Sequence, residues 1–261
     1  MSGLACVRPR QLMTENQIVK NTAFAGLLCI GLFATPSLAL AQDAAAAREP
    51  VDQTTANQMT PDQIAAFNQA VTDFTAAQQM QQAGDNAGAL VKYESVLPAI
   101  RTAVQVSPDN SDYGHFLANA LYAAAAAQAG LKNYDAVIDL YKEAVPLWRK
   151  ITLAKKDDTN SRNVLTSMLI QLGNKALVGK DKGGAGAYYK EALDLARKSA
   201  NVPADATGKN LLLSALIGLS QTSEDKSFWD EAIALGKAMI ADGSIDAANK
   251  PSIEIMTGKV G

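Results

Sequence analysis

From residue 61 onward, apolar side chains recur at i, i+3, i+4 and i+7, a spacing that predicts amphipathic helices packed on one face. β-Branched residues seldom cluster, no stretch alternates with period 2, and Ala is the dominant residue, so the pattern predicts closely packed helices and no sheet. Polar punctuation divides the helices. Thr60-Pro61-Asp62-Gln63 offers an N-cap, a proline at the first helical position and an acid in the first turn. Ser107-Pro108-Asp109-Asn110 repeats that signal, and Asp157 to Ser161 and Pro203 to Thr207 mark two further boundaries. Within each unit a short turn separates two helical stretches: Ala83 to Asn86, Ala129 to Asn133, Lys180 to Gly184 and Ser223 to Lys226. The chain is therefore expected to be all-α, with eight main helices. One short capping helix is added by the tail, at Ile245–Asn249 or at Pro251–Met256.

The units are copies of one another. Tyr93-Glu94-Ser95-Val96-Leu97 returns as Tyr141-Lys142-Glu143-Ala144-Val145 and as Tyr189-Lys190-Glu191-Ala192-Leu193, each 48 residues on. Arg101, Arg149 and Arg197 hold the same register, as do Ala89, Val137 and Ala185. A degenerate fourth copy runs from Ala232-Ile233 to Met239-Ile240, with Gly236 in the Tyr slot. Self-similarity at a fixed period means stacked supersecondary units, each burying its apolar face against the next. Pro98 and Pro146 share a slot in the second helices of copies one and two, where a helix is expected to kink or break. Asp194 fills that slot in copy three, whose helix is expected to run straight.

Ahead of the repeats, Lys20 precedes an apolar run from Ala23 to Phe33, followed by Pro36 and Ala39-Leu40-Ala41. Basic region, short apolar core and A-x-A exit compose a secretory signal peptide over residues 1–41, with cleavage after Ala41. The 15 residues between Lys20 and Pro36 are short for a spanning helix, so an uncleaved anchor is the lesser reading. Translation starts at Met1 or at Met13, either of which leaves a complete signal. Residues 42–60, rich in Ala, Gln and Asp, read as a flexible tether, residues 61–243 as the repeat domain and 244–261 as a C-terminal cap. Both cysteines, Cys6 and Cys29, fall in the removed segment, so the mature chain has no thiol, as suits an oxidising, periplasmic location. Cleavage leaves 21 basic and 25 acidic residues, net −4, with no basic footprint for nucleic acid and no stable membrane insertion expected.

Copy two, Asn133-Tyr134-Asp135-Ala136-Val137-Ile138-Asp139-Leu140-Tyr141, resembles the second helix of tetratricopeptide repeats, and Trp229-Asp230-Glu231-Ala232-Ile233 opens the same way. First-helix signatures appear as Leu169-x-x-Leu172-Gly173-x-x-Ala176, Leu216-x-x-Leu219-Ser220 and Leu121-x-x-Ala124-Ala125. The resemblance covers residues 61–243, with a period of 48 in place of the usual 34 and Arg where each repeat usually ends in proline. It implies a right-handed helical-hairpin solenoid of about four repeats, with the Tyr column as packing residues and the first helices lining a concave groove. The groove slots it implies are Gln78, Asn119, Tyr122, Ser167, Ile170, Asn174, Ser214, Ile217 and Gln221, polar and uncharged with apolar spots.

Chemistry has few candidates. His115 is the sole histidine and has no second His or Cys to share a metal with. Asp157-Asp158 and Glu224-Asp225 stand at helix starts, where acids complement the helix dipole. Gly183-Gly184-x-Gly186 lacks the strand and the Gly-Lys-Ser/Thr ending of a phosphate loop. Met80, Met168 and Met239 read as core filler. No cofactor, metal or catalytic set is expected. Arg101, Arg149 and Arg197 form a row at the border of the packed face, each stem covering apolar surface and each head pairing with an acid such as Asp194. The competing reading is an anion-binding strip. The expectation is thus a non-catalytic, exported protein- or peptide-binding scaffold, with a binder of anionic envelope polymer as the alternative and an enzyme as the weakest reading.

Overall fold

Turn chemistry repeats as faithfully as the core. In a computed structural model that describes residues 58–200 and 206–258, the backbone turns left-handed at Gly84, Lys132 and Lys180, each 48 residues from the last. In each case the next N–H, from Asp85, Asn133 or Asp181, returns to the carbonyl five residues back, on Met80, Gln128 or Ala176. This is the Schellman closure of a helix C-terminus. Asp85 and Asp181 then serve as N-caps, accepting from the N–H of Gly88 and Gly184, both at 2.8 Å. One residue pair ends the first helix and starts the second. The signal segment 1–41, nearly all of the tether and the punctuation at Pro203 to Asp205 lie outside the described residues.

The described helices are α1 Pro61–Gln82, α2 Asn86–Val106, α3 Ser111–Gly130, α4 Tyr134–Ala154, α5 Thr159–Val178, α6 Lys182–Ala200, α7 Ala206–Thr222, α8 Ser227–Ala241 and α9 Lys250–Met256, and no strand occurs among the described residues. The chain is all-α, an array of helical hairpins. Two compact units divide it, residues 58–148 and 149–258, with the boundary inside α4. In the first unit α1 packs on α2, α2 on α3, and the two first helices α1 and α3 meet directly. In the second, α5 to α9 pack in sequence and the first helices α5 and α7 also meet.

Several boundaries differ from the sequence expectation. At α1, Thr60 forms the capping box with Gln63 and Pro61 opens the helix, as expected. The copy of that signal does not act alike. Ser107 ends α2, Pro108 and Asp109 lie in the turn, and Asn110 caps α3 by accepting from the N–H of Asp112 and Tyr113. Gly183 and Gly184 are not turn residues but the first turn of α6, held there by Asp181. The tail forms its helix at Lys250–Met256.

Pro98 and Pro146 break neither helix: α2 and α4 run on through both. The cost of an interior proline is an unpaired carbonyl four residues back and a ring clash. Both prolines face solvent, and the residues whose carbonyls they release, Glu94 and Lys142, are exposed as well. Water can satisfy those carbonyls, which removes the larger part of the cost.

The core runs along the repeat slots. Tyr93, Tyr141 and Tyr189 are 0%, 2% and 1% exposed, which makes the column packing and not a surface ladder. Copy one, where Phe74 stands near the expected Leu slot, substitutes rings: Phe74 lies 5.5 Å from Tyr93 and 5.1 Å from Phe116, and Phe67 lies 4.9 Å from Tyr113. Met168 and Met239 are buried, whereas Met80 is only partly so.

Candidate functional site

Tyr189 shows what the repeat slot does. Its ring fills the space beside Gly173 of α5 and Gly218 of α7, where an added Cβ would come within 2.7 Å and 2.5 Å of ring carbons. The ring therefore keys its own first helix to that of the following repeat, and its hydroxyl donates to Asn174 Oδ1 at 2.7 Å. Tyr93 makes the matching bond to Gln81 Oε1 at 2.9 Å. In the last copy no repeat follows. Gly236 occupies the slot, and Ile253 of α9 moves in so closely that a Cβ there would sit 2.5 Å from its Cγ1.

The nine groove slots divide between the units. Gln78, Asn119 and Tyr122 belong to the first and are all half-buried. Tyr122 stacks on Tyr141 with centroids 6.5 Å apart and meets Trp148 edge-on at 6.3 Å, and burial raises its pKa. It is largely a packing residue. In the second unit, α5 supplies Ser167, Ile170 and Asn174, and α7 supplies Ser214, Ile217 and Gln221. Ser167, Ile170 and Ile217 are 6–7% exposed and line the floor. Asn174, Ser214 and Gln221 remain half-buried at the surface. Gln221 Nε2 donates to Ile217 O at 3.2 Å, within its own helix.

Sequence reasoning missed Asn210, which extends the α7 stripe. Positions 210, 214, 217 and 221 are spaced by four, three and four residues and share one helix face. Asn210 holds a passing segment of the chain by its backbone: Nδ2 donates to Ser244 O at 2.9 Å and Oδ1 accepts from Asp246 N–H at 2.8 Å. Ser214 Oγ donates to Asn249 Oδ1 at 2.9 Å, and Asn249 Nδ2 donates to Asn210 O at 3.0 Å. The upper half of the stripe is therefore occupied by residues 244–249, and Ser214 is not an open slot. The only sequence signal was Asn210 lying one turn before Ser214.

The Arg row is paired throughout. Arg101 grips Glu143 with Nε and Nη2, both at 2.8 Å, and Arg149 grips Glu191 at 2.8 and 2.6 Å. Arg197 donates to Glu231 at 2.8 Å. The acid is thus not Asp194. Glu143 and Glu191 share a slot two residues after Tyr, so each fork reaches the next second helix across 42 residues of chain. Copy four has Ala238 in that slot, and Glu231, two turns earlier on the same face, takes the role. These bonds raise the pKa of Arg101 and Arg149. Arg101 and Arg149 thus each turn two fork nitrogens to a carboxylate, and Arg197 turns one. Replacing Arg101, Arg149 and Arg197 together by Gln should lower stability by at most about 3 kcal/mol, because pairs this exposed contribute about 0.2–1 kcal/mol each. A urea titration measures it, and a loss above about 4 kcal/mol would mean that the stems carry packing not credited here.

Arg162 has a different setting. It is 8% exposed at the start of α5, and its guanidinium donates to Lys156 O, to Thr159 Oγ1 at 2.9 Å and to Ser199 Oγ at 3.4 Å. It ties the connector before α5 to the end of α6. His115 is half-buried on α3. Among the described residues no group of three or more His, Cys, Asp or Glu is placed to hold a metal ion, and no helix is long and apolar enough to cross a membrane.

In comparison with known proteins, no family model matches the chain, and no curated protein is significantly similar to it.

Proposed function

We propose that the chain is a non-catalytic scaffold of the bacterial envelope, exported to the periplasm as a long-period, tetratricopeptide-like array that binds a protein or peptide partner. The observation that carries this reading is the stripe on the adjoining first helices α5 and α7: uncharged amides and hydroxyls over an apolar floor, with one stretch already holding a chain segment by its backbone. Amide side chains suit that task because each offers a donor and an acceptor at once, matching the C=O and N–H of an extended chain. A rigid helical platform adds little ordering cost on binding. The sole histidine, the absence of thiols from the expected mature chain and the signal-like segment support the non-catalytic and exported parts of the reading. Because each Arg of the row already has a carboxylate partner, the observations favour a peptide over an anionic polymer.

The test is site-specific cross-linking in the native envelope. A photo-reactive residue at Asn174 or Gln221 should capture a discrete protein, while one at the exposed Lys190 of α6 should not. The same material should begin within about three residues of Gln42. Capture from Lys190 alone would overturn the assigned face, and an uncleaved N-terminus would overturn export by a cleaved signal.

A further inference from the structure

The segment after α8 occupies the place where the first helix of a fifth repeat would lie, and it is held in an unusual way. From Ser244 to Asn249 it has no helix of its own. Besides the N–H groups of Ser244 and Ile245, which both donate to Met239 O, its anchors are side-chain bonds from the α7 stripe: Asn210 to the carbonyl of Ser244 and the N–H of Asp246, and Ser214 to Asn249. Asn249, 5% exposed, reaches back to Asn210 O and completes the ring of bonds. Beyond it α9 is only seven residues long, and Ile253, fully buried, is its peg against Gly236. Asn210 reads two backbone groups two residues apart, a recognition that ignores side chains. Side-chain selectivity would come from Asn249, held by Ser214 and Asn210, and from one aliphatic peg in the slot left by Gly236.

We propose that residues 244–256 are a built-in occupant of the partner-facing stripe, an autoinhibitory strap that a partner segment must displace. The displacing segment has the same chemistry as the strap: a non-helical stretch presenting a C=O and an N–H two residues apart, then an amide side chain in the place of Asn249 and an aliphatic side chain on a short helical turn. The strap lies at the last helix of the array and is held by a handful of side-chain bonds and the two buried apolar residues of a seven-residue helix, Ile253 and Met256, which marks it as a small local opening unit. An occupant open for about 1% of the time weakens apparent affinity about 100-fold, and loosening the strap restores it. This inference rests on the reading of the α5–α7 stripe as a binding face.

The experiment uses the full chain and a fluorescent synthetic peptide spanning Asp242 to Gly258 of this sequence. Asn249→Ala combined with Ile253→Ala alters the strap and leaves Asn210, Ser214 and Gln221 in place. The expected result is capture of the peptide by this variant at least about tenfold more tightly than by the unaltered chain, with no capture of a peptide that itself carries Asn249→Ala. Equal affinity in both chains would overturn the strap. Hydrogen exchange on the unaltered chain gives a reading independent of the variant's folding. The amides of Asp246 and Asn249 should exchange at least about tenfold faster than those of Leu213 and Leu216, through local opening. Exchange of all four only on global unfolding would equally overturn the proposal. Peptide capture without cross-links from Asn174 and Gln221 would leave the strap standing and remove the envelope partner, and the converse pair of results would remove only the strap.

Discussion

Raising the pH above about 10 is expected to unfold this protein cooperatively, with tyrosinate absorbance and helix loss rising together. Burial raises the pKa of Tyr93 from 10.0 to about 12, and those of Tyr141 and Tyr189 further still. For a phenol the charged form is the deprotonated one, so folding holds the proton on. Between the unfolded value near 10 and the higher folded value, the unfolded chain has released protons that the folded chain keeps. Stability is therefore fully present below pH 10 and falls as pH rises through that window, by about 1.4 kcal/mol per pH unit for each such group. Tyr141 and Tyr189 alone remove several kcal/mol within two pH units, against a total that is commonly about 5–15 kcal/mol. Ionisation would also turn Tyr189 from donor to acceptor beside Asn174 Oδ1. Tyr189→Phe has no proton to lose, so its alkaline midpoint should shift upward relative to its stability at neutral pH. Independent, gradual titration of these phenols in a still-helical protein would contradict the burial of the column.

How far the fold was legible follows from the same column. A 48-residue recurrence of Tyr, Arg and small residues specified helical hairpins and their number, because each slot meets the same neighbours in every copy, and the packing role of the Tyr slot followed only from the tetratricopeptide resemblance. What the recurrence could not specify was every feature decided by contact with something outside the repeat. Gly183 and Gly184 read as a turn, since glycine lowers helix propensity, but the Asp181 cap and the Schellman closure before it fix the helix start. Pro98 and Pro146 read as kinks or breaks. They stand five residues after Tyr, about 140° around the helix at 100° per residue, so their released carbonyls meet water. That geometry was available from the sequence, but the cost of an interior proline was weighed without its exposure. The Arg row was placed correctly at a helix border, yet its acids were sought within the same repeat. Glu143 and Glu191 lie in the next one, at a slot visible in the alignment of copies. Glu231 was not visible, because the face is kept and the register is not. At the candidate site, the repeat register pointed to Asn174 and Gln221, whereas Asn210 and the segment it holds depend on where the tail folds back, which no repeat records.

Among single substitutions, Tyr189→Ala is expected to cost most, about 3–5 kcal/mol, the range for truncating a large buried aromatic side chain. The upper half of that range applies here for a specific reason. The cost of a cavity depends on whether neighbours can collapse into it, and the ring's neighbours on α5 and α7 are Gly173 and Gly218, which have no side chains to move. Two helix backbones would have to shift instead, and the rest of the core resists such shifts. The opposite error is also costly. Gly218→Val places its Cβ about where the ring carbons now lie, within 2.5 Å, and overpacking of this kind costs about 1–3 kcal/mol after any gain in helix propensity. The two changes are complementary in volume, so the double variant Tyr189→Ala, Gly218→Val should be more stable than the sum of the single losses by about 1–3 kcal/mol. Thermal and urea unfolding of the four proteins in the cycle measures this coupling directly. Additive losses would mean that Tyr189 does not lie between Gly173 and Gly218, and the account of the slot as the key between successive first helices would have to be abandoned.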